Sequence, residues 1–351
     1  MVQLFINGTE IFTEEKTTVL KAARNAGIHI PTLCYLEGIN DVASCRLCVV
    51  EAEGEDALLT ACSTPVREGM EIHTDSPRVI SARRAALKLI LASHEANCFI
   101  CPKNGDCELQ AVCREYGIEP ERYGRQSAPE KTRRFHPFLT YRPELCIHCE
   151  RCVSTCEKAT GRKAIRRGRA GLAAIIETPF GEGWDTSLCE SCGNCAQNCP
   201  TGAITERRRT KYRAWEVTKV RTTCPHCAVG CQMNLVVKDG RVVDVEGADG
   251  PSNRGLLCVK GRSGSFDFID SPERIRTPLI KNPETGAFES ADWDTALDLV
   301  AEKFTAIRNT YGGEALAGFA CSRSTNEDIY MLQKMVRTAF NSNNTDNCAR
   351  V

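Results

Sequence analysis

Twenty-two of the 351 residues are cysteine, and nineteen of these fall into five close groups. Thiols gathered in this way either cross-link the chain or bind metal. The first residues, Met-Val-Gln-Leu-Phe-Ile-Asn-Gly, have no basic stretch, no long apolar stretch and no twin arginine. A cytoplasmic protein is therefore expected, and in that compartment thiols stay reduced. Cysteine-rich and cytoplasmic together point to metal or catalysis. The best apolar run, residues 85–92, is interrupted by Lys88, well short of the roughly 18 residues of a membrane span. Lys+Arg and Asp+Glu both number 45. That balance excludes the global basic excess of a nucleic-acid binder. Neither a nucleic-acid partner nor a membrane is expected.

The first group is Cys34, Cys45, Cys48 and Cys62, with spacing C-x10-C-x2-C-x13-C. Four thiolates on a loop and a later strand suit a [2Fe–2S] cluster, although a structural zinc accepts the same set. The second is His94, Cys98, Cys101 and Cys107. Imidazole can replace a thiolate on iron; the plainer alternative is a histidine capping a helix end. The third and fourth form a repeat. Cys146, Cys149, Cys152 and Cys156 recur as Cys189, Cys192, Cys195 and Cys199, 43 residues later. C-x2-C-x2-C-x3-C is the bacterial ferredoxin run, in which the fourth cysteine ligates the other cluster. Cys146, Cys149 and Cys152 should therefore pair with Cys199, and Cys189, Cys192 and Cys195 with Cys156. Pro200 follows Cys199 as the pattern asks, whereas Glu157 stands after Cys156. The fifth group is Cys224, Cys227, Cys231 and Cys258, whose spacing alone also suits a zinc ribbon. Nineteen cysteines and one histidine then serve one [2Fe–2S] and four [4Fe–4S] clusters, leaving Cys113, Cys321 and Cys348. Such clusters move single electrons between a two-electron site and a partner.

Around these groups the pattern predicts an α+β multidomain chain. Residues 2–13 read as a hairpin about Asn7-Gly8, residues 17–26 as a helix ended by Gly27, and residues 47–52, 57–61 and 70–74 as strands. Together they make a β-grasp ferredoxin-like domain over residues 1–77. Residues 77–93 read as a helix with Val79, Ile80, Ala86, Leu87, Ile90 and Leu91 on one face. It leads into the His94 domain and a polar connector (residues 114–140), which complete the domain at 78–140. The double ferredoxin domain spans 141–215 and the fifth group lies in 216–272. A hairpin is expected about Asp239-Gly240, a helix over residues 293–308 and a buried strand over residues 315–321. A capping box of Ser324 with Glu327 should open a helix running towards Phe340. Residues 273–351 thus read as the start of an α/β domain. The basic runs Arg166-Arg167-Gly168-Arg169 and Arg207-Arg208-Arg209 read as solvated surface. His29, His73, His136, His148 and His226 read as structural or exposed, with His148 and His226 placed to tune a potential.

The order of these sites resembles the N-terminal half of iron-only hydrogenases and, more loosely, the large iron–sulfur subunit of respiratory NADH dehydrogenase. Leu257-Cys258-Val259-Lys260-Gly261-Arg262, together with Cys224, Cys227 and Cys231, resembles instead the iron–sulfur domain of molybdopterin-dependent oxidoreductases. Ser271-Pro272-Glu273-Arg274, Thr277-Pro278-Leu279-Ile280, Trp293-Asp294 and Ala296-Leu297 match it too. The resemblance implies that Lys260 relays electrons between a cluster and the pterin. Asn343-Asn344-Thr345-Asp346-Asn347-Cys348-Ala349-Arg350-Val351 is similar to the segment just ahead of the catalytic residue of formate dehydrogenases. In those enzymes a selenocysteine or cysteine ligand comes next. The expectation is a reading frame ended at a selenocysteine codon; a codon other than TGA after codon 351 would contradict it. The resemblance therefore implies a cytoplasmic formate dehydrogenase α subunit interconverting formate and carbon dioxide at a molybdenum or tungsten bis-pterin guanine dinucleotide centre. Flavin/NAD diaphorase or hydrogenase subunits and electron-carrier proteins would be its partners. The rival classes are an electron-transfer subunit without its own active site and a zinc-rich binding module. The segment as it stands, lacking the metal ligand, is expected to be inactive alone.

Overall fold

The computed structural model describes residues 1–120, 136–169, 171, 174–180, 188–207, 210–264 and 266–349. Most of the predicted connector lies outside these residues, as do Arg208, Arg209, Arg350 and Val351. The chain divides into two compact units, Met1–Thr218 with Val237–Asp239, and Lys219–Val236 with Gly240–Val351.

The first unit begins with strands β1 (Val2–Ile6) and β2 (Thr9–Thr13), joined at the predicted Asn7-Gly8 turn. Val2, Leu4 and Ile6 alternate inward along β1, as a half-buried strand requires. Helix α1 (Val19–Asn25) follows, its first turn capped by Thr18, whose Oγ1 accepts from Lys21 N. Strands β3 (Val49–Ala52), β4 (Leu59–Thr60) and β5 (Met70–His73) complete a five-stranded sheet of order β2-β1-β5-β3-β4. β5 runs parallel to β1, and the other pairings are antiparallel. This is the mixed sheet of a β-grasp arrangement, though β4 is shorter than the predicted strand over residues 57–61. The buried face of α1, Val19, Leu20, Ala22 and Ala23, packs in one cluster with Leu4, Ile6, Val50 and Ile72. Leu20→Ala should cost about 2–5 kcal/mol, readable as a lowered denaturant midpoint.

Helix α2 (Pro77–Ala92) starts at Ser76, whose Oγ accepts from Val79 N and donates to Glu51 Oε2. Its buried face is Val79, Arg83, Leu87 and Leu91. Ile80, assigned to that face from the pattern, is 37% exposed, and Arg83 takes the intervening position. The Arg83 guanidinium is tolerated there because it donates to Val49 O at 2.8 Å and Tyr116 Oη at 2.9 Å. Helix α3 (Glu108–Glu115) packs Leu109, Val112 and Cys113 with Leu87 and Leu91.

The ferredoxin-like part pairs β6 (Leu139–Tyr141) with β9 (Ile204–Glu206), and β7 (Arg166–Gly168) with β8 (Ile175–Glu177). Short helices α4 (Arg151–Ser154) and α5 (Asn194–Gln197) carry the two cysteine runs.

The second unit contains most of a three-stranded sheet, β10 (Thr218–Thr223), β11 (Gln232–Lys238) and β12 (Arg241–Gly247), turned at Asp239-Gly240 as predicted. Beyond α6 (Val259–Ser263), β13 (Leu279–Lys281) and β14 (Phe288–Ser290) form a small ribbon. Then come α7 (Trp293–Tyr311), β15 (Gly318–Ala320), α8 (Asn326–Met335) and β16 (Thr345–Asn347), with β15 parallel to β16. Two expectations fail here. The capping box is Thr325 with Asp328, one residue later than predicted. The strand over residues 315–321 shortens to β15, whose Phe319 is 78% exposed, so it is not buried on both faces. Among the described residues no helix is long and apolar enough to cross a membrane.

Candidate metal centres

Cys34, Cys45, Cys48 and Cys62 are all buried. Cys48 Sγ and Cys62 Sγ lie 3.3 Å apart, and Cys34 hydrogen-bonds Cys45. Each pair shares a hydrogen bond between its two sulfurs. The bond from Cys45 pulls Cys34 down to about 6, and that from Cys62 pulls Cys48 below the ordinary thiol range. Their partners Cys45 and Cys62 are pushed far up by the same bonds and by burial. Four buried thiolates would repel one another; bound cations remove the protons and the repulsion together. The donor set therefore fits a metal cluster.

The α2 helix delivers His94 at its C-terminal end, where His94 N donates to Leu91 O. The ring is buried and its Nδ1 lies 3.1 Å from Leu145 O. A carbonyl only accepts, so Nδ1 carries the proton and the Nε2 lone pair is left for a metal. Burial pushes the imidazole down to about 4, so it stays neutral, the form that ligates. Cys98, Cys101 and Cys107 are partly buried and close enough for their charges to interact. Burial pushes the Cys107 thiol up to about 11. Arg213 clamps this loop, donating to Cys101 O and Phe99 O.

The repeat folds crosswise. Cys146, Cys149, Cys152 and Cys199 line one small cavity. Cys156, Cys189, Cys192 and Cys195 line another. Both runs use the same backbone device. His148 and Glu150 have φ of 53° and 61°; Ser191 and Gly193, at the matching positions, have 58° and 71°. Left-handed residues at these positions turn amides towards the sulfurs. Cys146 accepts from the His148 N–H and Cys189 from the Ser191 N–H, the latter at 3.4 Å. Gly193 suits this conformation, whereas Glu150 adopts it at some cost. Burial pushes Cys146 up to about 12 and raises Cys149, Cys152, Cys189 and Cys195 as well. Without a cation these thiols stay protonated.

Contacts join the Cys146 site to its neighbours. Cys149 packs in one cluster with Cys34, Cys45 and Cys107. Cys101, Cys156 and Cys195 border the cluster holding Cys146, Cys152 and Cys199. A Cβ on Gly202 would stand 3.0 Å from Cys101 Sγ and 3.3 Å from Leu145 Cδ1. Gly202→Ala therefore requires its neighbours to give by a few tenths of an ångström and should cost about 1–3 kcal/mol, readable as a lowered denaturant midpoint.

In the second unit, Cys224 is buried, Cys227 and Cys231 are partly buried, and Cys258 is exposed. The four are near enough to raise the Cys231 thiol, though burial is the larger cause. His226 Nε2 is buried without a hydrogen-bond partner. Lys260 is exposed on α6, two residues after Cys258. Cys113 is buried, and Cys321 and Cys348 are exposed. Among the described residues no three His, Cys, Asp or Glu side chains gather as closely as a single metal ion requires.

Three contributors escaped sequence reasoning. His136, read as structural or exposed, is buried with Nε2 3.7 Å from Cys189 Sγ. Its Nδ1 accepts from Phe138 N, so Nε2 carries the proton and faces Cys189 and Ser191 Oγ. Arg151 is buried beside Cys149. Asn40 is buried between two ligand loops. His148 acts structurally, bonding Ala174 O at 2.8 Å.

Residues 1–77 match the 2Fe-2S iron-sulfur cluster binding domain, and residues 83–122 the NADH-ubiquinone oxidoreductase-G iron-sulfur binding region. Residues 183–205 match the 4Fe-4S binding domain. Residues 217–268 match the molybdopterin oxidoreductase Fe4S4 domain, and residues 274–351 molybdopterin oxidoreductase itself. Together these matches make the chain similar to the electron-transfer iron–sulfur region of molybdopterin oxidoreductases. It is 38% identical, over its whole length, to the NADPH-Fe(3+) oxidoreductase subunit alpha of Geobacter sulfurreducens, and spans 40% of that protein. It is 35% identical to an NADH-quinone oxidoreductase subunit of Rhizobium meliloti, again over its whole length and 40% of the relative. A protein of Staphylococcus haemolyticus provisionally named a formate dehydrogenase is 31% identical over 98% of the chain and 39% of the relative. Among solved structures, a chain of an NAD+-reducing [NiFe]-hydrogenase in the H2-reduced state matches with a TM-score of 0.55 and 29% identity. That match covers 59% of this chain and 87% of the hydrogenase chain.

Proposed function

We propose that this segment is the iron–sulfur portion of a formate dehydrogenase catalytic subunit, passing electrons between formate and an NAD-linked or hydrogenase partner. The observation that carries the reading is the grouping of ligand-type side chains within a chain that matches molybdopterin oxidoreductase from residue 217 onward. Cys34, Cys45, Cys48 and Cys62 would hold a [2Fe–2S] cluster. Four [4Fe–4S] clusters would be held by His94 with Cys98, Cys101 and Cys107; by Cys146, Cys149, Cys152 and Cys199; by Cys156, Cys189, Cys192 and Cys195; and by Cys224, Cys227, Cys231 and Cys258. Bound there, such clusters supply one-electron transfer. The chain's own residues exclude water, aim amide N–H groups at sulfur and set cations such as Arg151 beside negative charge. Lys260 is assigned the pterin-facing side of the last site, and the molybdenum or tungsten bis-pterin to the longer protein.

The Staphylococcus relative supports formate as the substrate, and the hydrogenase likeness supports a partner that handles NAD or hydrogen. A second reading is favoured by the two relatives of higher identity, both named for pyridine-nucleotide oxidation. In that reading the protein relays electrons and oxidises no formate. The test is dye reduction by the full-length protein with its partner subunits, purified anaerobically. Formate-dependent viologen reduction supports the first reading. Reduction by NADH or NADPH with none from formate overturns it in favour of the second.

A further inference from the structure

We propose that Asn40 is a positioning residue that locks the [2Fe–2S] loop onto the Cys146 site and so sets the electron coupling between them. Asn40 is 1% exposed. Its Nδ2 donates to Cys34 O at 2.6 Å and to Cys149 O at 3.0 Å. One amide nitrogen therefore bridges the main chain of a candidate ligand of each site, Cys34 and Cys149. Oδ1 accepts from Ser154 Oγ at 2.7 Å. The orientation of the amide is fixed by these partners, because turning it over would set its oxygen against two carbonyl oxygens. The main chain of Asn40 is held as well: its N–H and C=O both bond Leu36, closing a tight turn. Every polar group of the residue is thus used, in a place that water does not reach.

A buried amide with all its bonds made is costly to replace. Nothing in the local chain demands it; the turn at Leu36 uses only main-chain groups. What the side chain adds is a fixed separation between two loops that sequence alone leaves independent, together with a hydrogen-bonded connection from Cys34 to Cys149. An exposed ion pair, Lys158 with Asp41 at 3.7 Å, spans the same two segments.

The proposal rests on the cluster reading above, and the test separates the two. The full chain is reconstituted anaerobically with iron and sulfide, as wild type, Asn40→Leu and Ser154→Ala. Leucine keeps the size and removes all three side-chain bonds; Ser154→Ala leaves both donated bonds and frees only the amide oxygen. Iron content, the potentials of the two sites, the magnetic interaction between them in EPR, and the rate of electron equilibration after rapid mixing with reductant are measured. Asn40→Leu should keep its iron and both potentials, weaken the magnetic interaction and slow equilibration, because the three side-chain bonds that fix the separation of the two loops are gone. Ser154→Ala should slow it less, because both bridging bonds remain. A fully loaded Asn40→Leu protein with wild-type coupling and rate overturns the proposal. Should Asn40→Leu fail to load, Ser154→Ala decides, and an unchanged rate there overturns it. A wild-type chain that takes up no iron overturns the cluster reading itself, and the proposal with it.

Discussion

Replacing Cys146 and Cys199 together by alanine should remove about four irons per chain, whereas replacing Cys146 and Cys156 together should remove about eight. Cys146 and Cys199 come from different runs yet line one cavity. Cys146 and Cys156 belong to the same run yet face different cavities. The reason is geometric. The third cysteine of each run lies in a short helix, Arg151–Ser154 or Asn194–Gln197, and this turn carries the fourth away from the loop that holds the first two. Cys156 sits in a widened turn over Thr155–Ala159, where its sulfur accepts from Ala164 N at 3.3 Å. Iron analysis of the two double variants, prepared in parallel, decides the pairing. If each run held its own cluster, the result would reverse, with eight irons lost from the first and four from the second.

Arg151→Leu should lower the midpoint potential of the Cys146 site by roughly 50–100 mV, the size of one nearby charge felt through a partly screened medium. Arg151 is 4% exposed and interacts favourably with an ionised Cys149. Reduction adds negative charge to a cluster, so a neighbouring cation favours the reduced form and raises the potential. Its removal works the other way. Glu108, bonded to Arg151 at 2.6 Å, is half exposed and would be left in water, adding to the negative field. Stability should change little, because leucine fills the space and Arg151 Nε already lacks a partner. A redox titration followed by EPR reads the shift, with the Cys189 site as internal reference. An unchanged or raised potential contradicts this placement of the charge.

Much of this was legible in the sequence because ligand spacing is local. The Asn7-Gly8 and Asp239-Gly240 turns, helix α2 and the grouping of thiols all follow from residues within a few positions of one another. The failures share a cause. Asn40 reaches Cys149 across 109 residues, and His136 lies beside Cys189 across 53. No periodicity encodes such meetings. Arg83 on the buried face of α2 was missed because the pattern counts apolar side chains, while the structure pairs the two terminal guanidinium nitrogens with Val49 O and Tyr116 Oη. The capping box over Thr325 and Asp328 slipped by one residue because Ser324 and Glu327 offer the same chemistry at the same spacing. The matched left-handed residues of the two ferredoxin runs could have been guessed at Gly193, but not at Glu150, whose side chain gives no hint of that conformation.

Iron, acid-labile sulfide and zinc counted per chain on the anaerobically reconstituted protein, beside its visible and EPR spectra, test the account most directly. Five filled sites predict about 18 irons, a brown protein and EPR signals of both [2Fe–2S] and [4Fe–4S] type on reduction. A colourless protein that binds zinc in place of iron would contradict the assignment of these cysteines to electron transfer.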